Sequence, residues 1–217
     1  MDCGNITIQG NVIKSVISSG AGACIGGASN RSAGSITISN AKLPPLNGTS
    51  LIGWIRGNTA GSLTIRNCYI ESTDTAAGSG IQVSDNGNIR IENSEVKLPE
   101  KRDIRAGDGG SIVIRDSTIH SNGIYMLGNL NEAKSLKRLE ITGSTVVTAG
   151  NVIGAMGSRA SVDEIVIHGS SLSPAEGADH YYAIGGGEYA SFGSIDIQGS
   201  QINIPLASNG AAIGGGN

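Results

Sequence analysis

The sequence predicts an all-β chain wound as a parallel β-helix. Three observations predict it. An aliphatic-x-aliphatic core recurs eight times in 217 residues, a Gly, Asn or Asp follows each core at a constant offset, and 34 glycines stand beside one Phe and one Trp. A unit that recurs every 20–50 residues signals a stacked architecture, in which no unit buries its apolar face without its neighbours.

The cores are Ile6-Thr7-Ile8, Ile36-Thr37-Ile38, Leu63-Thr64-Ile65, Ile89-Arg90-Ile91, Ile112-Val113-Ile114, Leu139-Glu140-Ile141, Ile165-Val166-Ile167 and Ile195-Asp196-Ile197, spaced by 30, 27, 26, 23, 27, 26 and 30 residues. Period-two alternation turns the aliphatics to one side of a short strand and the middle residue to the other. Two residues after each core stand Gly10, Asn40, Asn67, Asn93, Asp116, Gly143, Gly169 and Gly199. These residue types accept a left-handed backbone most cheaply, so the column reads as a corner.

Past the corner, a small residue (Asn11, Ala41, Cys68, Ser94, Ser117, Ser144, Ser170, Ser200) precedes an aliphatic (Ile13, Leu43, Ile70, Val96, Ile119, Val146, Leu172, Ile202) by two positions, the pattern of a second strand. A third apolar column follows at variable distance, read as Ile25, Ile52, Ile81, Ile104, Met126, Ile153, Ile184 and Ile213. Three short strands per rung and about eight rungs stacked ~4.8 Å apart make a rod roughly 40 Å long. The stretch from Asn131 to Lys137 shows the nearest approach to helical periodicity and reads as a loop excursion. The repeat runs from end to end without a linker, so residues 1–217 form one domain. Neither end carries a visible polar cap, which solenoids require. The expectation is a segment of a longer protein, or end rungs that self-associate end to end with another copy. No signal peptide or membrane-inserting run is recognised.

A formal net charge of −3, mixed along the chain, excludes an electrostatic footprint for nucleic acid. Cys3, Cys24 and Cys68 form an odd set without metal-type spacing. Cys68 falls in the small column as a buried thiol, and Cys3 with Cys24 could bridge only within the first rung.

Chemistry on such a rod must sit on outward positions. On the first strand of each rung Arg66, Glu92 and Arg115 stack with alternating sign, with Arg90 and Glu140 close by. This is either an exposed ladder that sets rung register or a shallow groove whose Arg and carboxylate groups hydrogen-bond sugar hydroxyls and uronates. The second strands put Lys42, Tyr69 and Glu95 in one row and Glu71, Lys97 and His120 in the next, where Tyr69 offers a platform for a pyranose ring. The candidate glycan-binding residues are Arg66, Arg90, Glu92, Arg115, Tyr69, Glu95 and Lys97. His180, Tyr181, Tyr182 and Tyr189 form a contact loop or a lid on the seventh rung, and the direction of Trp54 stays open.

No catalytic residues are assigned. Carboxylates are scattered, and no acids converge across rungs as a polysaccharide lyase or hydrolase would require. No cofactor is expected; Asp85, Asp108 and Asp163 could hold a Ca2+ with backbone carbonyls, but they lack a distinctive spacing. The column Thr7, Thr37, Thr64 continues as Arg90, Val113, Glu140, Val166 and Asp196, which no ice-binding hydroxyl lattice would tolerate.

Gly-Ser-Ile-x-Ile at Gly193 to Ile197, with Ala-Ile-Gly-Gly-Gly at Ala183 to Gly187, resembles the degenerate repeats of bacterial, often gut-bacterial, surface and secreted proteins. It also looks like the carbohydrate-binding right-handed β-helix modules related to the pectate-lyase superfamily. The similarity spans the chain but specifies a rung and not an activity. It implies right-handed winding and a secreted or cell-surface location. It further implies a non-catalytic module serving as rigid stalk and low-affinity surface for polysaccharide or host-cell glycan. The alternatives are a protein-binding scaffold of an adhesin, toxin or effector, and a polysaccharide lyase or hydrolase. No lyase residues carry over, because no cluster of calcium acids with a catalytic Arg or Lys is present.

Overall fold

A strand with an aliphatic at every second position has one apolar face, and that face is buried only when the chain returns to stack another rung on it. In the computed structural model this return is made by parallel pairing throughout. The structure describes residues 4–11, 13, 16–17, 23–27, 34–48, 50–53, 61–73, 78–127, 133–150, 153–157, 159–176, 184–186, 189–203 and 213–214. Trp54, His180, Tyr181, Tyr182 and Cys3 lie outside them.

The first sheet has eight strands in chain order: Ile6–Gln9, Ile36–Ser39, Ser62–Arg66, Asn88–Glu92, Ser111–Arg115, Lys134–Thr142, Ala160–His168 and Ser191–Gln198. The second has six: Tyr69–Glu71, Glu95–Lys97, Thr118–Ser121, Thr145–Thr148, Ser171–Pro174 and Gln201–Ile202. The third has eight: Ala23–Gly26, Ser50–Gly53, Gly78–Gln82, Arg102–Ala106, Ile124–Leu127, Ile153–Met156, Ile184–Gly186 and Ile213–Gly214.

About six turns are therefore closed on all three sides, against the eight rungs read from the repeat. The second rung shows why. Lys42 makes a single bridge to Tyr69 and the Leu43 N–H reaches the Tyr69 carbonyl, but the next two residues, Pro44 and Pro45, have no N–H to give the ladder. Among the described residues, the strands that pair the first two rungs on that side are the short Val16–Ile17 and Leu46–Asn47, and the Lys42 N–H donates to Asn11 Oδ1 at 2.5 Å.

Two further readings are corrected. Lys134 to Lys137 belongs to the nine-residue strand Lys134–Thr142, where Leu136 pairs with Val162 and adds an apolar column beyond the three expected. In the third column the fifth member is Ile124, in register with Ile104 and Ile153, whereas Met126 stacks on Ala106 and Ala155. A fully buried aliphatic contributes on the order of 2 kcal/mol. Ile38, Ile65, Ile91, Ile114, Ile141 and Ile167 are each sealed between two neighbouring rungs.

The corner behaves as read. Asn40, Asn67, Asn93 and Asp116 have φ of 51°, 52°, 46° and 49°, and Gly143, Gly169 and Gly199 have 59°, 56° and 59°. The small residue beyond it does more than fit. The backbone N–H groups of Cys68, Ser94, Ser117, Ser144 and Ser170 donate to Ser94, Ser117, Ser144, Ser170 and Ser200 Oγ of the following rung, at 3.1–3.2 Å. Each of these hydroxyls also donates to a carbonyl of its own rung two residues back. The left-handed turn takes these N–H groups out of the ladder, and a serine column supplies the missing acceptor.

Glycine in the third sheet answers to a different constraint. Gly26, Gly53, Gly154, Gly185 and Gly214 have φ between 113° and 143°, and a Cβ on Gly154 would drive into the carbonyl oxygen of Gly185. This column is close backbone packing from rung to rung. In the middle rungs it is replaced by Gln82, Arg105 and Tyr125, which lie in register with it. They form a polar cluster with Ser79, Asp103 and Asn122. Arg105 bonds Ser79 and Gln82, and Asn122 Nδ2 donates to Asp103 at 3.0 Å. Burial pushes the Asp103 carboxyl up, against hydrogen bonds from Tyr125 and Asn122 and the nearby Arg105 charge, all of which pull it down. Arg102, fully buried, donates to the carbonyls of Gly48 at 2.6 Å and Ser79 at 3.3 Å.

Three outcomes are expected. Gly154→Ala destabilises severely, by more than about 4 kcal/mol, whereas Gly169→Ala, with open space around its Cβ, costs about 1–2 kcal/mol; equal costs in denaturant titrations would refute the packing argument. Ser117→Ala strands the Ser94 N–H and costs about 1–3 kcal/mol. Because the folded-state Asp103 carboxyl titrates above its unfolded value, its contribution to stability falls as pH rises through that window. Asp103→Asn therefore gains stability relative to the parent at pH 7, and the difference shrinks on acidification toward pH 4 in thermal melts. A gap that widens on acidification would reverse the sign.

Candidate functional site

Outward residues of the first sheet stand in columns because the rungs are in register. Arg66, Glu92 and Arg115 share one column, and Thr64, Arg90, Val113 and Glu140 share the next. Sequence reasoning brings Arg66, Arg90 and Glu92 together correctly. The Glu92 carboxylate takes Arg66 Nε at 3.4 Å and pairs with Arg90. Hydrogen bonding from Arg90 holds the Glu92 carboxyl below the usual range and raises the Arg90 guanidinium.

Arg115 turns the other way. Its Nη2 lies 2.6 Å and its Nε 2.7 Å from Glu140 Oε1, while Arg138 Nε reaches Glu140 Oε2 at 3.0 Å and its Nη1 pairs with Glu164. Burial works to raise the Glu140 carboxyl, but hydrogen bonds from Arg115 and Arg138 outweigh it and hold the group low. Beyond this network His168 Nε2 lies 2.9 Å from Asp196 Oδ2, and Gln198 Nε2 donates to the same carboxylate at 3.0 and 3.1 Å.

The electrostatic outcome is asymmetric. The side chains of Glu92 and Glu140 are 12% and 9% exposed, whereas those of Arg66, Arg90, Arg115 and Arg138 are 58%, 45%, 41% and 38% exposed. The acids lie low against the sheet, and the guanidinium groups reach past them into water. Such a strip can donate directed hydrogen bonds to carboxylate, sulfate or hydroxyl oxygens laid along the rod.

Tyr69, Glu95 and Lys97 stand on the second sheet, beyond the corner, so the predicted residues form two strips. Lys42 Nζ and Lys97 Nζ sit 5.0 and 5.3 Å from the centre of the Tyr69 ring, within cation–π range, and the Tyr69 hydroxyl donates to Glu71 at 2.9 Å. That hydrogen bond raises the Tyr69 hydroxyl, and Glu95, 2.7 Å from Lys97, raises the ammonium. Of the contact loop only Tyr189 is described; it is exposed, with φ of 58°.

Of the acids considered for Ca2+, Asp85 and Asp108 are loop residues that serve the backbone, whereas Asp163 lies in the strand Ala160–His168. Asp85 Oδ1 accepts the Asp108 N–H at 2.9 Å, Asp108 Oδ1 accepts the Ser135 N–H at 2.7 Å, and Asp163 accepts the Ser135 hydroxyl. Lys134 Nζ lies 3.3 Å from Asp85. Among the described residues no three His, Cys, Asp or Glu side chains gather as a metal site would require. Nor is there among them a helix long and apolar enough to cross a membrane.

Sequence reasoning missed Arg138 and Glu164, which fall in a third outward column that runs Ser62, Asn88, Ser111, Arg138, Glu164 and Ser194, just before each aliphatic core. It also missed the third-sheet cluster. The available signal was the loss of glycine at Gln82, Arg105 and Tyr125 from a column that is glycine elsewhere.

Comparison with known proteins agrees with the winding of the chain. No curated protein and no solved structure matches it. Residues 1–172, most of the sequence, match the family described as right handed beta helix region, which also supplies the hand of the coil. The chain belongs to the right-handed β-helix family.

Proposed function

We propose that the chain is a non-catalytic module of a secreted or cell-surface bacterial protein, a rigid stalk whose first-sheet strip binds polysaccharide weakly along its length. The observation that carries this reading is the row Arg66, Arg90, Arg115 and Arg138, on four consecutive rungs, with each guanidinium steadied from below by a carboxylate and open to water above. Guanidinium groups held in this way match planar carboxylates with little further loss of side-chain freedom. Anionic polysaccharides are the preferred class. A flat strip with repeated weak contacts favours an extended polymer over a small ligand, because linked contacts act as avidity.

The electrostatics of this strip support binding without turnover there. A general acid for glycosidic cleavage needs a carboxyl raised toward neutral pH. Glu92 and Glu140 are held in the opposite direction. The second-sheet strip adds Lys42 and Lys97 around Tyr69 as a subsidiary cationic patch. Tyr189, exposed by 66% on a left-handed turn, is the observation that favours a second reading, a protein-contact surface on the seventh rung.

Affinity electrophoresis in gels containing neutral or anionic polysaccharides, with Ca2+ or with chelator, tests the proposal. Retardation by anionic polymers, insensitive to chelator, is expected. The double change Arg90→Ala with Arg115→Ala should weaken it by about tenfold or more, the loss of one or two charge-assisted hydrogen bonds. Migration unaffected by every polymer would leave a stalk or protein-contact scaffold. New reducing ends or unsaturated products would establish an enzyme instead.

A further inference from the structure

The four guanidinium groups of the first-sheet strip are not equivalent. Arg66 and Arg90, with side chains 58% and 45% exposed, share the single carboxylate of Glu92 and leave positive charge in excess. Glu140, two rungs from Arg90 in its column, is the other acid whose charge reaches Arg90. Arg115 and Arg138 face two carboxylates, Glu140 and Glu164, and are balanced. Lys134 pairs with Asp85, and exposed Lys137 has exposed Asp163 on the neighbouring strand.

The uncharged outward groups divide in the same way. In the first three rungs Thr7, Thr37 and Thr64 stack in one column that ends on Arg90, and Gln9 and Ser39 lead to Arg66 in the next. Among the described residues, none of these five uncharged side chains has a hydrogen-bond partner. Later rungs differ. Thr142 is held by Glu140, and His168 and Gln198 are held by Asp196. The uncommitted hydroxyl and amide groups of the face therefore adjoin its one pair of cations in excess.

We infer that a bound glycan seats an acidic group between Arg66 and Arg90 and lays neutral sugars over the threonine column before them. This rests on the polysaccharide reading above and names its ligand class, a chain in which acidic sugars alternate with neutral ones. Each guanidinium has five N–H donors, more than the shared Glu92 carboxylate can engage, so donors remain for an incoming carboxylate. Threonine hydroxyls both donate and accept, as sugar hydroxyls require. Three rung spacings of ~4.8 Å put Thr7 roughly 14 Å from Arg90, the length of about three sugars. An acid on every sugar would set its further carboxylates over Thr37 and Thr64, where desolvation has no cation to offset it.

Affinity electrophoresis in hyaluronan, whose uronate alternates with a neutral sugar, in polygalacturonate, acidic at every sugar, and in neutral dextran tests the seat. Retardation should be strongest in hyaluronan and weakest in dextran. Arg66→Ala with Arg90→Ala should weaken the hyaluronan effect about tenfold or more, and Arg115→Ala with Arg138→Ala less than about threefold. Thr37→Val with Thr64→Val, which keeps side-chain shape and charge, should weaken it about threefold or more. Circular dichroism checks that each variant retains the parent fold. Polygalacturonate or dextran retarding as strongly as hyaluronan would overturn the inference, as would a larger loss from the Arg115 and Arg138 pair or none from the threonine pair. Those results leave polysaccharide binding standing. Free migration in all three polymers would overturn both.

Discussion

Every rung of this rod depends on a left-handed corner placed two residues after the first strand, because that corner returns the chain to the same position one strand spacing further along. Asn40, Asn67, Asn93, Asp116, Gly143, Gly169 and Gly199 share it within a narrow range of φ. The turn frees one backbone N–H per rung from the ladder, and the serine column from Ser94 to Ser200 receives it. An unmet buried N–H costs about 1–3 kcal/mol, so a corner without its hydroxyl would offset much of what stacking one more aliphatic contributes. Backbone geometry, hydrogen bonding and aliphatic stacking are thus satisfied together or not at all, as is usual where rungs stabilise one another.

The same register turns scattered surface charges into networks. Glu140 has Arg138 two residues before it on its own strand, and stacking places Arg115 of the preceding rung on its other side, so that a nearly buried carboxylate is fully partnered. Exposed ion pairs contribute little to stability one at a time. Their significance here is positional: acids lie low, guanidinium groups extend outward, and the strip carries a positive middle and an acidic end. In the third sheet register has the opposite effect. Rungs approach so closely that glycine is required, except where Gln82, Arg105 and Tyr125 lie side by side with Asp103 in a buried polar cluster.

Legibility in the sequence followed local periodicity. The alternation in Ile89-Arg90-Ile91 and the offset to Asn93 are properties of a few consecutive residues, and both correspond to the structure. The third strand follows a connection of variable length, so local pattern could not separate Ile124 from Met126. Lys134 to Lys137 joins a strand because Leu136 finds Val162 in the next rung, a contact no local window contains. Arg138 was missed for a different reason: it precedes the aliphatic core, in a column that is Ser62, Asn88 and Ser111 in the three rungs before it. The shortened second side of the second rung was readable in Pro44 and Pro45, whose missing N–H groups forbid a ladder whatever surrounds them.

By itself the sequence determined that this chain is a stack of short parallel strands, where each rung turns, and which residues face outward. These follow from side-chain alternation and backbone preference, which act over two or three residues. Tertiary structure alone decided which charges of neighbouring rungs meet, that Arg115 serves Glu140 while Arg66 serves Glu92, and that Asp103 is buried beside Tyr125. Those outcomes depend on contacts between residues some 25 positions apart, and one residue of register difference in the connecting loops would rearrange them all.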